Sequence, residues 1–139
     1  MMKKMELTPF YLIFRGFNQT KWMDAYALFS FALEALFSRD DKCEPTKTII
    51  NRVSRILNCS KTKINNLYEI RSDIVHGRIE LAEKEDEVKK KENLNYLQDV
   101  ENVVIGCLRK VLDEKVYLKY KNPQEREKYF DDLVENVTI

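Results

Sequence analysis

Residues 18–37 read NQTKWMDAYALFSFALEALF. Trp22, Ala25, Tyr26, Phe29, Leu33, Leu36 and Phe37 recur at steps of three and four, the spacing that lines one side of an α-helix. Leu28, Phe31 and Ala35 widen the stripe until little polar surface is left. The segment therefore predicts a helix buried on most sides, which other helices must cover. Glu34 stands out as a carboxylate in this apolar setting. Two readings are open for it: an edge position reaching solvent or a nearby arginine, or a supporting partner for a basic site residue.

Downstream, SRDDKCEP is a polar connector, and Pro45 suits the first position of a second helix, with Glu44 before it. Ile49, Ile50, Val53, Ile56 and Leu57 form its apolar face, flanked by Arg52 and Arg55. Ser60 is a suitable N-cap for a third helix. Ile64, Leu67, Tyr68, Arg71, Ile74 and Val75 lie along that helix, and Gly77 sits where a C-cap glycine belongs. A charged stretch from Arg78 to Asn93 reads as an exposed loop with some helix. From about Asn93 to Lys121 runs a fourth helix, whose Leu97, Val100, Val104, Cys107 and Val111 step at heptad spacing and predict lengthwise packing on another helix. Asn122 and Pro123 read as N-cap and first position of a last helix, with Tyr129, Phe130, Leu133, Val134 and Val137 on its apolar face.

Upstream, residues 1–17 are ambiguous, and FYLIF (10–14) suits a strand or a packing arm. They are assigned to a short irregular N-terminal arm or the remnant of a preceding segment, and residues 18–139 to the helical domain. The N-terminus resembles a signal peptide only superficially. Its apolar run is short, it holds Pro9 and Arg15, and no small-residue cleavage site follows. No apolar stretch reaches membrane-spanning length, so the reading is a cytoplasmic protein with no membrane partner.

The 139 residues suit one domain. Three glycines and three prolines argue against a turn-dense β fold and against disorder. The fold class is therefore all-α, an antiparallel bundle of four to five helices. A net charge of +1 makes no global case for nucleic acid. Locally, residues 42–78 hold eight basic and three acidic residues, whereas residues 79–103 hold eight acidic residues and four lysines. The basic half makes a polyanion-facing surface as good a reading as a chance asymmetry. Cys43, Cys59 and Cys107 form no metal-binding pair, and one histidine cannot complete a usual zinc set. No metal or cofactor is implied.

That one histidine, His76, lies in LYEIRSDIVHGR (67–78), five residues after Arg71. Histidine moves protons near neutral pH, and arginine holds phosphate and offsets developing charge. At 100° per residue the two side chains lie about 140° apart, whereas Ser72 and His76 share a face. Arg71 must reach round, the helix end must distort, or two copies must build the site.

The stretch RSDIVH resembles the R-x4-H form of the motif of HEPN domains, all-α domains named for higher eukaryotes and prokaryotes nucleotide-binding. FALEALF (31–37), NRVSRIL (51–57) and LYEIRSDIVHG (67–77) appear in the order seen in the Apea-like HEPN subfamily. The resemblance covers about residues 25–78, and the long helix after them agrees with it. It implies a HEPN-like bundle and a metal-independent endoribonuclease, dimeric, with the motif helices of two copies meeting in a composite site. Arg71 would hold the scissile phosphate and His76 act as general acid or base on the RNA 2′-hydroxyl, without a cofactor. Ser72, Asp73 and Glu34 would support them, and Arg52, Arg55, Lys63 and Arg78 would contact RNA. A toxin, defence or stress-response role, with a cognate regulator or fused domain as partner, goes with the resemblance. Two departures stand. The residue after the motif arginine is Ser72, where Asn, Asp or His is usual. Arg78 occupies the position that is tyrosine in toxins paired with nucleotidyltransferase antitoxins, so that pairing is not expected. The alternative is a non-catalytic HEPN-like module that binds RNA or a protein.

Overall fold

Every regular element packs directly or indirectly on α2 (Trp22–Phe37). The computed structural model describes residues 4–39, 41, 44–77 and 87–135, residues 4–7 as backbone only. The described elements are all helical: α1 (Lys4–Phe17), α2, α3 (Pro45–Leu57), α4 (Lys61–Val75), α5 (Glu87–Asp113), a 3₁₀ turn (Val116–Lys121) and α6 (Pro123–Glu135). The molecule is thus an all-α bundle.

Ala25, Tyr26, Phe29, Ala32, Leu33, Leu36 and Phe37 of α2 are buried, as the stripe predicts. A helix this apolar has no solvent face of its own, and its neighbours are set by where its side chains find cover. The Tyr26 hydroxyl donates to the Leu67 carbonyl of α4 at 2.6 Å. Burial, followed by Asp99, pushes that phenol well above its ordinary pKa. On another side α5 lies parallel to α2, a correction to the expected antiparallel arrangement, with Trp22 near Tyr96 at one end and Tyr120 bonded to the Leu36 carbonyl at the other. Val100, Val103, Val104, Cys107 and Val111 fill that contact. The heptad face is therefore spent inside the chain.

Three start signals act as the sequence predicts. Pro45 begins α3. The Ser60 hydroxyl accepts from the Lys63 N–H at 3.2 Å. The Asn122 side chain accepts from the N–H groups of Gln124 and Glu125 at 3.0 and 3.2 Å. The two side-chain caps satisfy donors that a helix start leaves open, and Pro45 removes one by having no N–H.

Two further expectations are corrected. The N-terminal arm is not irregular: residues 4–17 form α1, which doubles back along α2. Its inner face is Pro9, Ile13 and Gly16. A Cβ on Gly16 would lie 2.8 Å from the Phe29 ring, so only glycine permits this approach. Tertiary packing overrides the ambiguous local signal of Pro9 and FYLIF. The fourth helix is also neither as late nor as continuous as predicted. It starts at Glu87, and Lys115 breaks it in the left-handed region at φ 57°. The break lets Val116 and Tyr120 turn into the core, where an unbroken helix would carry them away. Of the charged stretch, residues 78–86 lie outside the described residues and 87–93 are helix.

Candidate functional site

The motif occupies the last turns of α4. Ser72 and His76 share a face, as four-residue spacing requires. The Ser72 carbonyl accepts the His76 backbone N–H at 2.9 Å and stands 2.8 Å from its Nδ1. A carbonyl oxygen can only accept, so Nδ1 carries a hydrogen, and in the neutral ring Nε2 then holds the lone pair. The Ser72 Oγ, at 3.3 Å, is a second neighbour of Nδ1. The ring is exposed, and Gly77 follows at φ 67° with its N–H on the Ile74 carbonyl. The helix end thus selects the Nδ1–H tautomer of the neutral ring, on an exposed residue. Asp73 lies half-buried beside it.

Arg71 faces elsewhere. Its Nη2 lies 2.7 Å from Glu34 Oε1 of α2, with 23% and 31% of the two side chains exposed. The guanidinium stands 5.6 Å from the centre of the Phe31 ring, and its Nε is buried without a hydrogen-bond partner. Glu34 is thus held by Arg71, a pairing that both readings of it allow. No hydrogen bond or ion pair joins Arg71 to His76 among the described residues. The bond geometry within one copy leaves them as two separate pairs, Arg71–Glu34 and Ser72–His76.

Arg71 and Glu34 line a groove of about 490 Å³ with Thr8 and Leu12 of α1, Phe31 and Ala35 of α2, and Thr46 of α3. Tyr68, one turn before the motif, is buried with no partner for its hydroxyl. Burial, and then the Glu34 carboxylate, raise its pKa far above the ordinary phenol range. The helical nature of residues 4–17 was needed to find the α1 wall of this groove, and the sequence carried no clear sign of it.

The predicted RNA-contacting residues divide. Arg52 is a correction. It is 2% exposed, donates to the carbonyls of Phe37 and Ser38 at 3.0 and 3.3 Å, pairs with Glu127 at 2.6 Å and stacks over Phe130 at 4.8 Å. Arg55 is half-buried, and its Nε donates to the Leu133 carbonyl near the end of α6 at 3.1 Å. Both arginines cap helix C-termini, where unpaired carbonyls and the dipole favour a cation. Lys63 is exposed and lines a separate pocket of about 460 Å³ with Tyr26, Asn66, Tyr96 and Asp99. Arg78 lies outside the described residues.

Sequence reasoning missed Arg126, which is 2% exposed and donates to the Leu36 and Ser38 carbonyls at 2.7 Å each. Its signal was present: Arg126 precedes Phe130 by four residues and lies on the apolar face of α6. Of the cysteines, Cys107 is buried and Cys59 half-buried, and burial raises both thiols. Cys43 lies outside the described residues. No helix among them is long and apolar enough to cross a membrane, and no group of three or more metal-ligating side chains occurs among them.

No known protein family, no curated protein and no solved structure matches this chain.

Proposed function

We propose that the chain is a HEPN-type, metal-independent endoribonuclease acting as a homodimer whose motif helices meet. The observation that carries the reading is the bond at His76: Nδ1 is tied to the Ser72 carbonyl on an exposed residue, which leaves Nε2 of the neutral ring to act as a base. Imidazole in that tautomer can take the proton of an RNA 2′-hydroxyl. The 2′-oxygen then attacks the adjacent phosphorus, the 5′-oxygen leaves, and the products are a 2′,3′-cyclic phosphate and a 5′-hydroxyl. The leaving oxygen takes its proton from the imidazolium of the second copy or from water. Arg71 offsets the charge growing on the phosphate oxygens, which requires the phosphate to compete with Glu34 for the guanidinium. The biological setting that goes with this reading is defence or stress response in the cytoplasm, under a regulator or fused domain.

The test is cleavage of mixed-sequence single-stranded RNA in EDTA. The wild type cuts and leaves cyclic-phosphate ends, and His76→Ala cuts about 10²–10⁴-fold more slowly with unchanged circular dichroism. Equal cleavage by His76→Ala overturns the assignment.

A second reading, a non-catalytic RNA-binding module, is favoured by one specific observation: within a copy Arg71 is engaged by Glu34 and makes no bond to His76. A shallow groove of about 550 Å³ with Lys47, Lys61, Thr46, Thr62 and Asn65 on its walls would carry the backbone. RNA binding that weakens steeply with salt and yields no products supports this reading.

A further inference from the structure

We infer that Tyr68 is a positioning residue for an anion site at Arg71: when a phosphate takes the guanidinium, the Tyr68 hydroxyl donates to the Glu34 carboxylate that Arg71 leaves behind. The inference rests on the reading that Arg71 meets an RNA phosphate, and it adds the residue that lets Glu34 give the arginine up.

Among the described residues three buried side-chain polar atoms have no hydrogen-bond partner: Tyr68 Oη, Arg71 Nε and Arg126 Nε. Folded proteins leave few such groups, and one that is kept calls for a use. The Arg126 atom belongs to a guanidinium whose Nη groups already hold two carbonyls and Glu127. The other two belong to residues three apart on α4, on one side of that helix, where it packs on α2. Tyr26 and Tyr120 donate their hydroxyls to the Leu67 and Leu36 carbonyls. Tyr68 is 5% exposed and its hydroxyl has no such acceptor. Packing alone is served by phenylalanine, because a bare hydroxyl in the core loses its water and makes no bond in return.

Glu34 accounts for the hydroxyl. Arg71 Nη2 holds the Glu34 Oε1 at 2.7 Å, and the two side chains line the same groove. Burial comes first in raising the Tyr68 pKa, and the charges that act on it next are Glu34, upward, and Arg71, downward. The hydroxyl therefore lies in the field of that pair. While the pair is closed, the carboxylate has its cation and the hydroxyl has nothing to do. A phosphate in the groove offers oxygens to Nη and Nε together, the fork that a guanidinium presents to an anion. It supplies the missing partner of Nε and takes the cation from Glu34. A phenol bond to the stranded carboxylate is charge-assisted and stronger than one to a neutral acceptor. The bound state thus satisfies both of the α4 groups that the free state leaves bare.

Affinity for a mixed-sequence single strand of 2′-O-methyl RNA tests this, since that strand lacks the nucleophile and stays uncut. The wild type should bind, and Arg71→Ala should bind more weakly. Tyr68→Phe should bind roughly fivefold more weakly than the wild type, the factor of one hydrogen bond, with no loss of thermal stability. In a Glu34→Gln background no charge is stranded, so adding Tyr68→Phe should change affinity by less than about twofold. A structural effect of the ring would appear equally in both backgrounds. Equal weakening in both overturns the proposal, as does an affinity that Tyr68→Phe leaves unaltered. Failure of the wild type to bind, or binding that Arg71→Ala does not weaken, overturns it as well. The nuclease reading is judged apart, on unmethylated RNA with His76→Ala. A protein that shows the coupling but cuts nothing upholds the role of Tyr68 and removes the nuclease; one that cuts without the coupling does the reverse.

Discussion

Arg52, Arg126 and Arg71 all pack against α2, and the molecule treats them in opposite ways. At the C-terminal end of α2, Arg52 and Arg126 are enclosed. Between them they hold the carbonyls of Leu36, Phe37 and Ser38, share Glu127, and stack on Phe130. On the outer face of α2, Arg71 is partly open, has one carboxylate and keeps a bare Nε. The first arrangement turns its Nη groups to the carbonyls of a helix end and to a carboxylate. The second leaves a guanidinium beside a groove with capacity to spare. A buried cation held by several acceptors serves the fold; a partly exposed one held by a single carboxylate can be recruited by an anion.

The sharpest way to break this comparison is to remove one arginine at a time. Arg52→Ala should cost about 3 kcal/mol, because it takes the donor from the Phe37 carbonyl, one of two guanidinium partners from Glu127 and the packing on Phe130. Arg71→Ala should cost no more than about 1 kcal/mol, because its pair is solvent-screened. Urea denaturation reads both, and equal losses would erase the distinction.

A gentler contrast uses two tyrosines. Tyr120 donates to the Leu36 carbonyl at the closed end, and Tyr68 beside Glu34 has a buried hydroxyl with no partner. Tyr120→Phe should destabilise by about 1 kcal/mol, while Tyr68→Phe should be neutral or stabilising. Thermal melts of the two variants would show whether the open site tolerates an unsatisfied group that the closed one does not.

Glu34→Gln sharpens the functional side. It loosens the hold on Arg71 without removing volume. RNA affinity should rise a few-fold and the salt slope should steepen by about one phosphate contact. Unchanged binding in a filter assay would mean that Arg71 never meets the nucleic acid. The smallest effect is structural. Ser60→Ala removes the cap at the start of the motif helix and should cost about 1 kcal/mol of stability without altering the RNA-binding slope.

How legible these sites were from the chain depends on what kind of signal each carries. Ser60, Gly77 and Asn122 were legible because capping is a local affair between residues three or four apart. The Ser72–His76 pairing was legible for the same reason. Arg52 was misplaced on an RNA surface although it lies between Ile49 and Ile56 at helical spacing. An arginine on an apolar face becomes a buried cap only if carbonyls and a carboxylate await it, and those come from residues 36–38 and 127. Both readings of Glu34 allowed its pair with Arg71, and only the seating of α4 on α2 formed it.

By itself the sequence determined the helices at its centre, their caps, the all-α class and the buried stripe of α2, since each follows from periodicity and short-range hydrogen bonding. Only the tertiary structure decided the rest. It made residues 4–17 a helix, broke the long helix at Lys115, enclosed Arg52 and left Arg71 at a groove. Those outcomes depend on which distant surfaces meet, and the energy of burying a side chain belongs to the pair of surfaces and not to either segment alone.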